Sequence, residues 1–349
     1  MARWDDDFLV DLEPLVWSRP DGAPEAITPS VLFLGEGDYA LEVAAATSER
    51  RPTAEQVRKL WRARQGGRPS PLLLVVGYPE HGDTKVTVCG PAGEHPALTH
   101  GLSVSQVERL AAAALAEPSR HAAVRFLVAM LPEAESDLPG IRNSGLLATQ
   151  ELRQGVPERS DWPAACKRGA HLLALHGRKL VEGLGFEVDA LSTHATVLKT
   201  GNGNKRAVAI FLDEGEAFDA AAERLAGTSP VSHALARADA ENRPWVVLTR
   251  GRQIRLYAAR ADTGVGRKGR AETFVEVNLA LLPEGQAGYL PLLFGADALS
   301  EHGTIEDILE RSADFAAGLA ARLRERVYFD TVPALATAVA ARLGDPADL

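Results

Sequence analysis

Eight basic residues, Arg243, Arg250, Arg252, Arg255, Arg260, Arg267, Lys268 and Arg270, share a 28-residue span with one acid, Asp262. Such side chains neutralise phosphate oxygens, contacts that position a protein on a polyanion without reading its bases. Six of them, Arg250, Arg252, Arg255, Arg267, Lys268 and Arg270, fall at a turn, on one strand face or in a glycine-rich loop and are the candidate nucleic-acid contacts. A second set, Glu182, Asp189, Lys205, Asp213, Glu214 and Glu216, has the composition of a hydrolytic site in which carboxylates hold Mg²⁺ and water is activated beside it. Its spacing is poor. No lysine follows the acids of 213–216 at the required distance, and the strand at 196–199 carries no acid. A solvated acidic loop or an inactive remnant is the plainer reading, because such a site lacks the charge to hold an ion.

Other motifs are weaker. Gly264, Gly266 and Gly269 match a Gly-x-Gly-x-x-Gly pattern by letters, but a strand-like segment follows where a dinucleotide site needs a helix. The same loop still suits a phosphate backbone, since glycines allow close approach and Arg267 and Lys268 supply charge. The nine histidines show no metal-ligand spacing, His171 and His176 being five apart rather than four. There is no nucleophile elbow and no phosphate-binding Walker loop. Trp245 begins an apolar run and reads as core rather than as a base-stacking platform.

The basic cluster must be carried by a hairpin. Residues 245–248 are β-branched and aromatic, Arg250 and Gly251 offer the reversal, and 253–257 alternates polar with apolar. The first strand is expected to be buried on both faces. The second is expected to bury only Ile254 and Leu256, leaving Gln253, Arg255 and Tyr257 on an open face. Residues 273–279 then read as an edge strand.

Upstream, an irregular entry leads to one hairpin turning at 35–38. Thr53 with Gln56 three residues on marks a helix start, and Gly66 and Gly67 mark its end. Two strands, 71–78 and 85–89, precede two helices, 103–115 and 121–131, the second closed by Pro132. A Gly- and Pro-spaced stretch, 133–163, reads as a connector. A helix over 169–183 follows, then strands at 185–188, 196–199 and 207–212, the last two joined by Gly201-Asn202-Gly203-Asn204. Helical patches at 216–225 and 229–238 lead into the hairpin. Beyond 287 the pattern is helical, over 289–294, 304–327 and 332–343, with Thr304 as the expected cap of the long helix.

At 349 residues, 46% apolar and 24% charged, the chain has the composition of a soluble globular protein of two domains. The net charge of −9 argues against wholesale coating by nucleic acid, so a local basic surface has to serve. Two cysteines, Cys89 and Cys166, support neither a disulfide framework nor a cysteine zinc site. The first residues lack the order of a signal peptide, no apolar run approaches a bilayer span, and a cytoplasmic setting is expected.

In the second half, the order helix, strand, hairpin, helix, strand is the layout of the PD-(D/E)xK nuclease core, here without its acidic and lysine signature. Ser229-Pro230, then the hairpin Trp245, Thr249, Gly251, Leu256 and Tyr257, the strand 274–279, the segment 308–315 and Leu323-Arg324-Glu325-Arg326-Val327-Tyr328 together resemble the N-terminal region of large restriction-modification proteins. These are type IIG-like enzymes and related adenine-specific DNA methyltransferases of phage defence. The resemblance covers residues 169–343 and implies a nuclease-like domain closed by the hairpin, with a helical connector leading toward a methyltransferase. Neither an Asn-Pro-Pro-Tyr-type motif nor a glycine-rich cofactor motif is present, so methylation is not expected of these residues.

The expected fold is therefore α/β, with two mixed-sheet α/β domains, the second a degenerate PD-(D/E)xK-like core, and a helical C-terminal connector. The expected limits are 1–132, a connector at 133–163, the nuclease-like domain at 164–282 and the helical part at 283–349. The expected function is a DNA-associated, non-catalytic module that binds double-stranded DNA weakly and in a salt-sensitive way, beside a methyltransferase subunit and away from membranes, with no cofactor. Two alternatives stand beside it: a Mg²⁺-dependent nuclease with rearranged ligands, and a scaffold that docks a separate methyltransferase or nuclease.

Overall fold

The computed structural model describes residues 4–5, 7–37, 40–266 and 268–343. It is a mixed α/β protein with a six-stranded and a seven-stranded sheet, ending in helix. The chain forms two compact units and passes from one to the other at 142/143, 165/166, 176/177, 275/276 and 288/289. The units are interleaved in sequence, whereas the limits expected at 132, 163 and 282 are contiguous.

Unit 1 is built on β1 (Leu15–Val16), β2 (Ile27–Leu34), β3 (Glu42–Ser48), β4 (Leu72–Glu80), β5 (Asp83–Gly90) and β6 (Ala97–Ser103), side by side in that order. All neighbours are antiparallel except β3 and β4, which are joined by helix α1 (Ala54–Gln65). Helix α1 starts where the side-chain pattern requires. Thr53 Oγ1 accepts from the Gln56 backbone N–H at 3.2 Å, while the Gln56 side chain accepts from the Thr53 N–H at 3.0 Å. Gly66, with φ of 45°, closes the helix in a conformation that costs glycine little.

Alternation along β4 divides the core. Leu72, Leu74 and Val76 pack with Val57, Leu60 and Trp61 of α1. Leu73 and Val75 pack with α2 (Val104–Leu115) and α3 (Arg120–Ala134) on the other face. Helix α3 runs two residues past Pro132. Strand β6 was not expected, because Thr99, His100 and Gly101 interrupt its apolar pattern.

The stretch expected as a connector has structure of its own. It contains β7 (Ile141–Ser144), a π-helical turn at Glu151–Gly155 and the buried side chains Leu146, Leu147, Leu152 and Val156. The helix expected over 169–183 is instead α4 (Trp162–Ala170), a 3-10 turn at His171–Ala174 and α5 (Gly177–Gly183).

Unit 2 carries the hairpin. Strands β8 (Glu187–Ala190), β9 (Thr196–Lys199) and β10 (Lys205–Leu212) form an antiparallel meander, and helix α6 (Pro230–Ala240) carries the chain to β11 (Trp245–Arg250), parallel to β10. The order α5, β8, β9, β10, α6, β11 is the layout expected from the sequence. Gly251, with φ of 49°, turns the chain into β12 (Gln253–Ala258), which pairs with β11 from Trp245 opposite Ala258 to Arg250 opposite Gln253.

Two expectations for this region change. Strand β13 (Phe274–Asn278) is an inner strand, buried throughout, with β7 at the sheet edge. Strand β12 is buried on both faces, because Phe218 and Phe274 cover the side expected to be open.

Helix α7 (Tyr289–Phe294) precedes a continuous helical run of α8 (Thr304–Arg326), a π turn at Val327–Thr331 and α9 (Val332–Leu343). The cap of α8 is Gly303, not Thr304, whose hydroxyl donates to the Leu292 carbonyl at 2.7 Å instead. The π turn sits just before Pro333, which lacks an N–H for the residue 329 carbonyl and crowds it, so the helix widens there. At ~1.5 Å per residue, 304–343 measures about 60 Å. Among the described residues no helix is long and apolar enough to cross a membrane.

Candidate nucleic-acid interface

The basic cluster is split by the hairpin that carries it. Arg250 and Arg252 lie at the turn, whereas Arg260, Lys268 and Arg270 lie beyond the far end of β12. Five residue steps separate the two ends, about 17 Å at ~3.3 Å per residue.

At the turn, the arginines are engaged with the protein. The Arg250 guanidinium donates to the Gln253 side-chain oxygen at 3.1 Å through Nε and to the Glu216 carbonyl at 3.1 Å, and it lies 5.1 Å from the centre of the Phe218 ring. Arg255 is only 6% exposed. It is sandwiched between Phe218 and Phe274, at 4.0 and 4.4 Å, and donates to Asp219 at 3.1 Å and to the Tyr257 hydroxyl at 3.2 Å. Burial pulls the Arg252 guanidinium below its ordinary range. Arg255 is thus a core residue of unit 2.

The other group surrounds a cavity. The loop between β12 and β13 lies against Gly145, whose carbonyl accepts from the Val265 and Gly266 N–H groups at 2.9 and 2.8 Å. A side chain at Gly264, where φ is 109°, would meet that same carbonyl oxygen at 2.7 Å, so the close approach requires glycine. Thr273, buried, ties the loop back by donating to the Gly269 carbonyl at 3.1 Å. The resulting cavity, about 300 Å³, is walled by Arg260, Lys268, Arg270, Asp262, Thr263 and Thr273, among others.

Arg270 is fixed by two bonds to Asp239, at 2.8 and 3.0 Å, and a third to the Ala259 carbonyl. That pairing holds the Asp239 carboxyl below the usual carboxylate range and raises Arg270. Lys268 is exposed, with Nζ 3.4 Å from the Ser144 hydroxyl. Arg260 is exposed as well. Three cations set against Asp262 and Asp239 leave one positive charge over, together with the Thr263 hydroxyl, which is donor chemistry for a phosphate. Arg267 lies outside the described residues.

The acidic set does not form a cluster of this kind. Glu182 pairs with Arg178 at 2.8 Å, and Asp189 pairs with Lys199. Lys205 and Asp213 stand at opposite ends of β10, eight residue steps or about 26 Å apart at ~3.3 Å per residue. Glu214 is exposed, and Glu216 is clamped by Arg224 at 2.6 and 2.7 Å. Among the described residues no group of three His, Cys, Asp or Glu side chains could hold a metal ion. Burial pushes the Cys89 thiol up to about 12, so it remains protonated at neutral pH.

Compared with protein-family models, curated proteins and solved structures, the chain gives no match. Its function is therefore argued from its own residues.

The Glu216–Arg224 clamp, absent from the sequence-based reading, has a measurable consequence. Its first cause, the Arg224 hydrogen bonds, holds the Glu216 carboxyl below its ordinary value, aided by the Asp213 N–H. A depressed carboxylate stabilises the fold above its unfolded value, about 4.3, and loses that contribution as pH falls through the folded value. Glu216→Gln is expected to lower stability at neutral pH and to flatten its decline below about pH 4. Urea titrations at pH 7 and pH 3.5 check this, and an unchanged difference from wild type at the two pH values would contradict it.

Proposed function

We propose that this chain is a DNA-associated module of a restriction or phage-defence methyltransferase system, and that it holds duplex phosphates at the Arg260, Lys268 and Arg270 cavity. The observation that carries the reading is the pre-shaped loop between β12 and β13, which brings three cations to one opening with a single acid, Asp262, in its wall. Support also comes from the resemblance carried by residues 169–343 and from the αβββαβ order of unit 2. The separation of Lys205 from Asp213 disfavours the nuclease alternative with those ligands, so the module is read as gripping DNA rather than cutting it. Phosphate contacts of this kind give weak binding without base preference.

Fluorescence anisotropy with a labelled duplex across a salt series tests the reading. With Arg270 held by Asp239, Arg260 and Lys268 are left to neutralise two phosphates, and log affinity falls by about 1.8 per decade of salt, at ~0.9 per phosphate. The pair Arg260→Glu and Lys268→Glu is expected to reduce affinity at least tenfold at low salt and to shallow the slope by about 1.8. Arg250→Gln, at the other end of the hairpin, is expected to leave both unchanged. Equal binding by the wild type and the doubly reversed protein would remove the proposal.

A further inference from the structure

The long C-terminal helix carries apolar side chains that the protein does not cover. After Ser312, which is buried, Phe315, Leu319, Leu323, Val327, Tyr328, Phe329, Val332, Leu335 and Val339 are all exposed, from 37% to 78%. An uninterrupted run of this kind along one helix marks an interaction surface. Four of these residues, Phe315, Leu319, Leu323 and Val327, recur at intervals of four, and so form an i±4 ridge.

The residue order says what covers them. Counting outward from Val327, four of the eight other exposed apolar residues fall at mirrored distances: Leu319 and Leu335 are each eight residues away, and Phe315 and Val339 each twelve, whereas Leu323, Tyr328, Phe329 and Val332 have no apolar counterpart. One pair of charges is mirrored with opposite sign, Arg324 standing three residues before Val327 and Asp330 three after. The geometry points to a second copy of this chain, its helix antiparallel to the first, with the two-fold axis passing beside Val327.

In that arrangement Val327 meets its own counterpart, and Leu319 stands level with Leu335 of the second copy. Arg324 stands level with Asp330 of the second copy, twice by symmetry, and Arg326 with the Tyr328 ring. Between 315 and 339 no two like charges fall level. A parallel pair would instead set Arg322, Arg324 and Arg326 each against its own copy. Up to Val327 four residues overshoot one helical turn by about 40°, so the ridge winds around the helix, and the π turn at 327–331 then ends the regular interval of four. Two such ridges interlock by crossing at about −50°, which concentrates contact within a few turns of Val327.

The full chain is used for the test, in a Cys166→Ser background. Light scattering at micromolar concentration is expected to give twice the 37.3 kDa protomer mass. Val327→Cys is expected to oxidise to a covalent dimer, whereas Glu325→Cys, on the opposite side of the helix, is not. Arg324→Asp is expected to raise the dimer dissociation constant about tenfold, because two exposed pairs turn repulsive at once. Adding Asp330→Arg to it is expected to restore the wild-type value. A protomer mass throughout, equal cross-linking at positions 325 and 327, or no restoration in the double variant would each overturn the assignment.

Discussion

Alanine at Gly169 is expected to destabilise unit 1 by about 3 kcal/mol or more, at the upper end of what overpacking usually costs. Gly169 lies in α4, and a β-carbon there would stand 2.1 Å from the Ala287 carbonyl oxygen and 2.6 Å from its carbon. Both obstacles are backbone, which cannot swing aside as a flexible side chain can. Gly201 is the matched control, since a β-carbon there meets nothing within 4 Å. Alanine at Gly201 is expected to change stability by no more than about 1 kcal/mol, with any gain coming from the unfolded chain. Urea denaturation of the two variants, followed by circular dichroism, decides the matter; similar midpoints would show that the 169/287 approach is not tight in solution.

Arg255→Ala is expected to be the second large loss, about 2–4 kcal/mol, with no change in DNA affinity per folded molecule. The exposed partner Asp219 contributes little, because a pair screened by water on one side is worth at most about 1 kcal/mol. Most of the loss comes from the space between Phe218 and Phe274 and from the hydrogen bond that Arg255 donates to the Tyr257 hydroxyl. Arg255→Met refills the space without the charge and should recover about half. Lys268→Glu should behave in the opposite way, weakening DNA binding at unchanged stability. A stable Arg255→Ala protein with weakened DNA binding would place this arginine on the surface after all.

Local signals in the chain were readable where a few adjacent residues decide the outcome. The Thr53/Gln56 capping box, the Gly66 stop, the turn at 201–204 and the reversal at Gly251 all depend on neighbours, and each stands where its residue types place it. Within unit 2 the order α5, β8, β9, β10, α6, β11 stands as expected, whereas the helical patch expected at 216–225 is only a 3-10 turn at Glu223–Leu225. What was not readable depends on residues far apart in sequence. Alternation along 253–257 correctly separates the two faces of β12, but says nothing of Phe218 and Phe274 arriving to bury the second one. The basic run 243–270 reads as one cluster because its members are close in sequence, yet a hairpin sends its two halves to opposite ends. Asp239, which fixes Arg270 from 31 positions away, gave no local sign of that role. Arg260 was counted in the run but not singled out, since only the folded loop brings it to the cavity.

The interleaving of the two units bears on biosynthesis. Unit 1 needs residues 276–288 in addition to 1–142 and 166–176, so it stays incomplete until position 288 has left the ribosome. At ~5–20 residues per second, the 146 positions between 142 and 288 impose a delay of roughly 7 to 30 s. Helices α1, α2 and α3 already cover both faces of its sheet by then, and the place that waits is the one Leu281 fills in the core beside α2 and α3. For the same reason no single cut in the polypeptide releases either unit whole, and domain swaps between homologous genes would have to exchange several segments together.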